Sequence, residues 1–587
     1  MNEEPKSIWK KSLKLPGLLS AWLAAMLATI FIFVLVMMVR NEAFDVPGLL
    51  VLGAVCATVL LALWAAVRWL FCWRNLKRTL FVLACFATLV ALFYAEENWR
   101  GKRAWENYKH EWEAKGERFD LASVVPVPVP TEQNFAMTPI AYSSYGYILT
   151  RDGKRVPNEQ RDTNFVMRMN LSITHGWTTP TNSNVSWRKG EFIRLVDWQN
   201  YYRGLAETNE FPISPQPQTP AADVLLALSK GTAVLDELRL ASALPASRFP
   251  LNYDSESPGA ILLPQLAALK GCAQVLQLRS LAELQNTHPD KAFADVLLGL
   301  QLTGKIQTEP FLISHLVRIS MVQLQLQTVW EGLVNRAWSD KQLGEFEKEL
   351  SGYNFCADYQ LSMRGEMAML CGETENLRRH PELLQRMTGY GDYGEDGEAQ
   401  RKESSSPGSL MSRLIPSGWF YQNQLLCAQL IMKHFLPVAD VAEKTFSPER
   451  VRRGNAAVND AIKKTTPYNL IARMLLPAPS AAAKRFSYAE SFVDMSRTAI
   501  ALERYRLVRG GFPESLDALA PQFIAQVPHD VIGGQPLKYR RTSDGQFVLY
   551  SIGWNEKDDG GAVVLRQGST PDVDIGQGDW VWRYPAK

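Results

Sequence analysis

Asp558, Asp559, Asp572, Asp574 and Asp579 crowd a Gly-rich stretch near the C-terminus, with Ser551 a few residues upstream. Carboxylates set so close repel one another unless a cation or hydrogen bonds offset their charge. Calcium is the cation that suits them, because it accepts roughly six to eight oxygen ligands in a flexible cage. If the terminal segment folds back over what precedes it, the five aspartates, Ser551 and backbone carbonyls would converge on one Ca2+. EF-hand spacing is absent. The competing expectation is a solvated acidic loop held by its own turns.

Other chemistry-bearing patterns are sparse. The seven histidines form no H-E-x-x-H motif, and the chain has no G-x-S-x-G, phosphate-binding loop or Rossmann glycine pattern. His315 follows Ser314 and precedes Arg318 by one turn. That grouping suits an active cluster or a hydrogen-bonded histidine inside helix packing, and we read the second. Arg364 and Glu366 either hold a ligand or pair neighbouring helices, and pairing is favoured. No catalytic residue is assigned. Cys272, Cys356, Cys371 and Cys427 lie in the soluble part, none in a C-x-x-C pair. Two disulfides are open to them in an oxidising compartment, with buried free thiols the favoured reading.

The elements that must position these residues begin with an anchor, residues 1–97. Pro16–Val39, Pro47–Leu70 and Thr79–Ala95 are apolar runs near the roughly 17 to 25 residues a spanning helix needs, the third at the short limit. Lys6, Lys10, Lys11 and Lys14 precede the first, while Arg68, Arg74, Lys77 and Arg78 surround the second loop. Basic residues beside spans stay in the cytoplasm, so the N-terminus is expected inside and the large domain outside. A cleaved signal peptide would explain the first run alone, but it is long, lacks a small-residue cleavage site and is followed by two more. The near-neutral net charge of +3 offers no basic field for nucleic acid.

Residues 98–140 read as a stalk helix and a linker in which Pro126, Pro128 and Pro130 impose an extended spacer. In residues 141–220 the period changes to two. Val166–Thr174 and Glu191–Val196 are expected as strands of a small β-containing segment, with a turn at His175-Gly176-Trp177. Residues 221–486 carry helical stripes, among them Leu266, Leu269, Ala273 and Leu276. Ser339 and Gln342 form a capping-box pattern. Tetratricopeptide-like stacking has only a weak signature, so an irregular array is expected, with a mobile loop near 388–408. Leu414–Leu436 is apolar, but Gln422, Asn423, Gln424, Gln429 and Lys433 argue against a fourth span.

In residues 487–587, Phe492, Met495, Ala499 and Leu502 stripe a helix that stops at Gly510-Gly511, and Ser543-Asp544-Gly545 signals a hairpin between Leu537–Arg541 and Gln546–Ile552. Ala501–Arg506, Gly511-Phe512-Pro513, Pro528-His529-Asp530, and Tyr550-Ser551-Ile552-Gly553 leading to Asp558-Asp559-Gly560-Gly561 carry a resemblance to the C-terminal half of the major pseudopilin of type II secretion systems. The resemblance implies calcium at the acidic loop. It covers only this last segment, and the pilin N-terminal processing motif is missing. The whole chain also resembles a family of uncharacterised membrane-anchored bacterial proteins, through Pro128–Ala136, Phe249–Tyr253 and Glu309–Ile313. No activity comes with that likeness.

The expected fold class is mainly α: three N-terminal transmembrane helices, an irregular α-helical array with a small β insertion, and a small α+β C-terminal module with a β-hairpin. The expected protein sits in the bacterial inner membrane as a multi-pass envelope protein. Its extracytoplasmic array would be a binding or assembly scaffold for a protein or peptide partner. The alternative is a membrane-anchored hydrolase with carboxylates in the helical body, since such pairs need no fixed spacing.

Overall fold

The structure, a computed structural model, describes residues 15–40, 46–70, 73–142, 147–149, 155–157, 169–181, 186–384, 414–476, 479–566 and 572–584. The chain divides into two compact units, Met1–Glu97 and Asn98–Lys587.

In the first unit α1 (Leu15–Arg40) and α2 (Val46–Leu70) pack side by side. Trp22 Nε1 donates to Thr58 Oγ1 at 3.1 Å, and a Cβ on Gly53 would lie 2.6 Å from Ile30 Cγ1. Glycine there is what lets the two helices approach. α3 (Trp73–Glu113) extends well beyond the expected third run at both ends, and its Leu80, Phe81, Val82, Phe86 and Leu89 are exposed. Among the described residues two helices, not three, are long and apolar enough to cross a membrane: Asn75–Glu113 and Pro258–Gln285. The described apolar stretches of α1 and α2, Ser20–Ile32 and Gly53–Ala66, fall below that length. Pro258–Gln285 is half buried inside the body, and its apolarity serves the core.

The second unit is mainly helical. Its main helices are α4 (Leu195–Gly204), α5 (Pro220–Leu228), α6 (Thr232–Ser242), α7 (Pro264–Gln285), α8 (Pro289–Gly304), α9 (Leu312–Val334), α10 (Asp340–Ser351) and α11 (Phe355–Arg379). After residues 385–413, where the loop near 388–408 lies outside the described residues, follow α12 (Ser417–Leu430), α13 (Pro448–Ile462), α14 (Leu470–Leu475) and α15 (Pro479–Arg509). The capping box forms as expected: Gln342 N donates to Ser339 Oγ, and Ser339 N to Gln342 Oε1 at 2.9 Å. Within Leu414–Leu436 the side chains of Phe420, Cys427, Ala428 and Ile431 are buried in the core, while Leu414 is exposed. Cys272, Cys356, Cys371 and Cys427 are free and buried. Burial pushes the Cys272 and Cys427 thiols up to about 12.

Two buried clusters make up most of the core. One gathers α4 to α8 around Tyr202, Leu235, Phe249 and Leu276. The other joins α9, α11 and α15 to the C-terminal strands around Trp330, Phe355, Phe486 and Trp582. The helix expected to carry a single apolar stripe begins earlier than expected, at Pro479, and from Phe486 to Glu503 it is buried almost without interruption. It packs against α9, α10 and α11 and also against the C-terminal strands, so little of its circumference faces solvent. The segment expected as a separate module thus shares one core with the array. Gly510, at φ +84°, stops the helix, and its amide donates to the Arg506 carbonyl at 2.8 Å.

Before this helix the short strands β3 (Ala439–Asp440) and β4 (Thr445–Phe446) pair antiparallel; beyond it, β5 (Lys538–Arg541) and β6 (Phe547–Ser551) form the expected hairpin, with Gly545 at φ +76° in the turn. The remaining strands in this region are β7 (Val563–Leu565), β8 (Val573–Gly578) and β9 (Trp580–Arg583). β9 adds to the free edge of β6, giving the order β5-β6-β9, and β7 and β8 make a second antiparallel pair.

The small β element lies at β1 (Tyr147–Leu149) and β2 (Arg155–Pro157), paired antiparallel, not where the alternation predicted. Residues 166–168 lie outside the described residues, and Met169–Thr174 is irregular. That segment crosses α7 so closely that a Cβ on Gly271 would lie 2.2 Å from the Leu171 carbonyl oxygen. Met169, Leu171 and Ile173 pack into the core, and among the described residues this segment has no partner strand. In Glu191–Val196 no strand forms, because side chains of α9 take the backbone: Gln327 Nε2 donates to the Glu191 carbonyl at 3.2 Å, and Glu331 Oε1 accepts from Ile193 N at 3.0 Å. His175-Gly176-Trp177 is the expected turn.

Candidate functional site

The linker after the stalk helix is docked on the second unit. Phe119 packs edge-on to Trp105 with ring centroids 5.4 Å apart, and Glu117 receives a two-pronged contact from Arg364 at 2.8 and 2.9 Å. The proline run expected as a spacer lies against the body, where Arg248 Nε donates to the Pro126 carbonyl at 2.8 Å. Arg364 therefore pairs α11 with the linker, where pairing of neighbouring helices was expected. Its neighbour Glu366 accepts from the Leu312 amide at the start of α9, and burial pushes its carboxyl up to about 7.

These contacts leave an open cleft of about 440 Å³. α11 supplies one wall through Ala368, Cys371, Glu375 and Arg379, residues three or four apart and so on one helical face. Trp105, Phe119 and Leu121 form a second wall, and the loop Tyr253–Glu256 with Pro258 forms a third. Pro258 Cγ would be only 2.9 Å from a Cβ on Gly372, so that loop closes down on α11 because the helix has a glycine there. Glu373 fastens the loop, accepting from Ser257 Oγ at 2.9 Å.

Gln424 of α12 also lines the cleft and is 4% exposed. Its Nε2 donates to the Cys371 carbonyl at 2.8 Å, which fixes the orientation of the amide. Its Oε1 is buried and has no hydrogen-bond partner among the described residues. The Tyr253 hydroxyl, on a ring stacked on Phe311, is in the same condition, and burial holds it well above the ordinary tyrosine range. An unmade buried hydrogen bond costs about 1 to 3 kcal/mol, a cost that the packing around the cleft absorbs.

No protein-family model, curated protein or solved structure matches the chain.

The acidic loop is only partly gathered. β9 brings Asp579 beneath the turn, where its carboxylate accepts from the amides of Asp559 at 3.2 Å and Gly561 at 2.6 Å. Asp558 accepts from Tyr550 Oη at 3.0 Å and Gly560 N at 3.1 Å, and Asp559 from Asn555 Nδ2 at 2.8 Å. Asp572 instead meets Arg188 at 3.2 Å, and Asp574 lies 3.7 Å from Arg566. Ser551 is turned to Asp530, at 2.7 Å. Among the described residues no group of three or more His, Cys, Asp or Glu stands close enough to hold a metal ion.

His315 is enclosed in the helical body, its Nε2 2.7 Å from the Glu309 carbonyl. Near it Arg318 pairs with Asp358, and Glu490 accepts from the Phe355 amide. Burial first, and the neighbouring Asp494 second, push the Glu490 carboxyl up to about 8. Sequence reasoning missed the cleft altogether. Tyr253, Glu375 and Gln424 belong to no motif, and only their meeting from three distant segments gives them a role.

Proposed function

We propose that the protein is a membrane-anchored envelope protein whose extracytoplasmic helical body binds a peptide or protein partner in the cleft between Trp105, Tyr253 and α11. The observation that supports this reading is the open cleft of about 440 Å³ itself, walled by α11, by Trp105 and Phe119, and by the loop Tyr253–Glu256. A hydrolase working through the body's carboxylates fits less well. Glu490 is fully buried and already holds a backbone amide, so it stabilises the interior and is out of reach of a substrate. Purification of the tagged chain from solubilised membranes should recover a stoichiometric partner, released by Asp254→Lys at the exposed cleft rim. Peptide or glycan hydrolysis by the purified chain, lost on changing one buried carboxylate, would overturn the proposal.

The anchor in this proposal is three spans with the N-terminus in the cytoplasm, supported by the apolar helices α1 to α3 and the basic second loop. A reporter fused after Asp120 should be active only as a periplasmic reporter. Activity of a cytoplasmic reporter at that point would reverse the orientation and place the cleft inside the cell.

A further inference from the structure

We infer that residues 463–474, the turn after α13 together with α14, form a second membrane contact: they sit in the headgroup layer, with Tyr468, Leu470 and Met474 toward the acyl chains and Lys463, Lys464 and Arg473 on anionic lipid headgroups. This rests on the membrane anchor proposed above and adds where the second unit meets lipid.

The place of the segment follows from contacts inside the second unit. The apolar run of α3 ends at Ala95, and Asn98 to Gly101 follow three to six residues later, about 5 to 9 Å of helix. The start of α12 is fastened there. Asn98 Oδ1 accepts from Gly418 N at 2.9 Å, and a Cβ on Gly101 would lie 2.3 Å from the Gly418 carbonyl oxygen. Arg100 Nη2 donates to Tyr468 Oη at 3.3 Å, and its guanidinium lies 5.5 Å from the ring centroid. Tyr468 also meets Trp419 of α12 edge-on at 6.2 Å, while Asn423 Oδ1 accepts from the amides of Ile471 at 2.9 Å and Ala472 at 3.0 Å. The segment is thus held beside the residues at which α3 leaves its apolar run.

Its side chains suit that place. Ile471 and Ala472 are buried, whereas Leu470 and Met474, one turn apart on one face, are 41% and 36% exposed. Tyr468 and Trp99 are exposed aromatics of the kind that favour the headgroup layer. Lys463, Lys464 and Arg473 are exposed, and the chain from 461 to 489 contains no Asp or Glu. Arg473 Nη1 donates to the Ile462 carbonyl at 3.3 Å and to Thr465 Oγ1 at 2.8 Å, which folds the lysine turn against α14 and sets the three cations together. Apolar side chains flanked by cations bind an anionic lipid surface by burial and by charge at once. An acidic protein would have to displace a bilayer to which the segment is already tethered.

The test is photocrosslinking of the full chain in vesicles of phosphatidylglycerol and phosphatidylcholine, with benzoylphenylalanine placed at Leu470 or Met474 and the products read by mass. A lipid adduct is expected at both positions. The same probe at Leu240 of α6, which is 79% exposed, should give at least about fivefold less. In phosphatidylcholine alone, or with Lys463→Gln, Lys464→Gln and Arg473→Gln combined, the yield at both positions should fall at least about threefold. A probe at Phe86, exposed in the apolar run of α3, reports the anchor itself. An adduct at Phe86 with none at 470 and 474, yields there equal to that at Leu240, or crosslinks to a second copy of the chain in place of lipid would overturn the inference and leave the anchor standing. No adduct at Phe86 would overturn both. Yields indifferent to lipid charge and to the triple variant would overturn anionic headgroups as the occupant.

Discussion

Replacing Arg318 by methionine, with Asp358 left in place, should destabilise the second unit by about 3 to 5 kcal/mol. Arg318 is 1% exposed and Asp358 3% exposed, and the two are paired between α9 and α11. The guanidinium lies 4.6 Å above the Tyr353 ring and 5.2 Å above that of Phe355, so removing it also costs packing. The nearest other group is His315. His315 Nε2 faces the Glu309 carbonyl oxygen and so carries a hydrogen, which leaves Nδ1 3.6 Å from Asp358, beyond hydrogen-bond reach. Methionine at 318 therefore strands a buried carboxylate. Removing both charges, in Arg318→Met with Asp358→Leu, should recover much of the loss, because apolar side chains carry no desolvation penalty. The measurement is the denaturant midpoint of the two single variants and the double. A single variant within about 1 kcal/mol of wild type would mean that the pair is hydrated or replaceable.

Glu490→Gln should separate from wild type as pH rises. The carboxyl is raised from an ordinary 4.5 to about 8, mainly because burial penalises its charged form and secondarily because Asp494 is near. With the folded value above the unfolded one, its contribution is fully present below about pH 4.5. It falls as pH rises, because the unfolded chain releases the proton first, and is gone above about pH 8. Glutamine does not titrate. Its amide keeps the acceptor for Phe355 N and places a donor where Glu490 Oε1 has no partner, a cost that is the same at every pH. The stability difference between variant and wild type should therefore shift in favour of glutamine by about 3 kcal/mol between pH 5 and pH 8, taking 1.36 kcal/mol per pH unit as the upper scale. Burial raises Glu309, Glu331 and Glu366 to about 7 in the same way, so wild type itself should lose stability over this interval from these groups. Parallel stability curves for the two proteins would show that Glu490 ionises freely in the folded state.

What the sequence determined by itself is what a few neighbouring residues can settle. The Ser339 and Gln342 cap, the Gly510 stop and the Asp544-Gly545 hairpin are each closed by hydrogen bonds or turns within about five residues, and each stands where it was expected. Helix-forming stripes were legible for the same reason, since one face of a helix repeats every three or four positions. Where the tertiary structure decided, the deciding partner was mostly about a hundred or more residues away. Alternation near Met169 looked like a strand, but Gly271 and Cys272 of α7 receive that segment, with Cys272 Sγ 3.3 Å from the Met169 carbonyl. The chain's C-terminal end looked separable, yet Trp330 Nε1 donates to the Arg583 carbonyl at 3.0 Å, binding the last strand to the array. Asp579 did reach the acidic turn, through the Asp559 amide, while Asp572 and Asp574 lie against Arg188 and Arg566. The cleft is the extreme case. Tyr253, Glu375 and Gln424 carry no local pattern, and their chemistry depends on which hydrogen bonds the packed helices leave unmade, a quantity that exists only once the chain has folded.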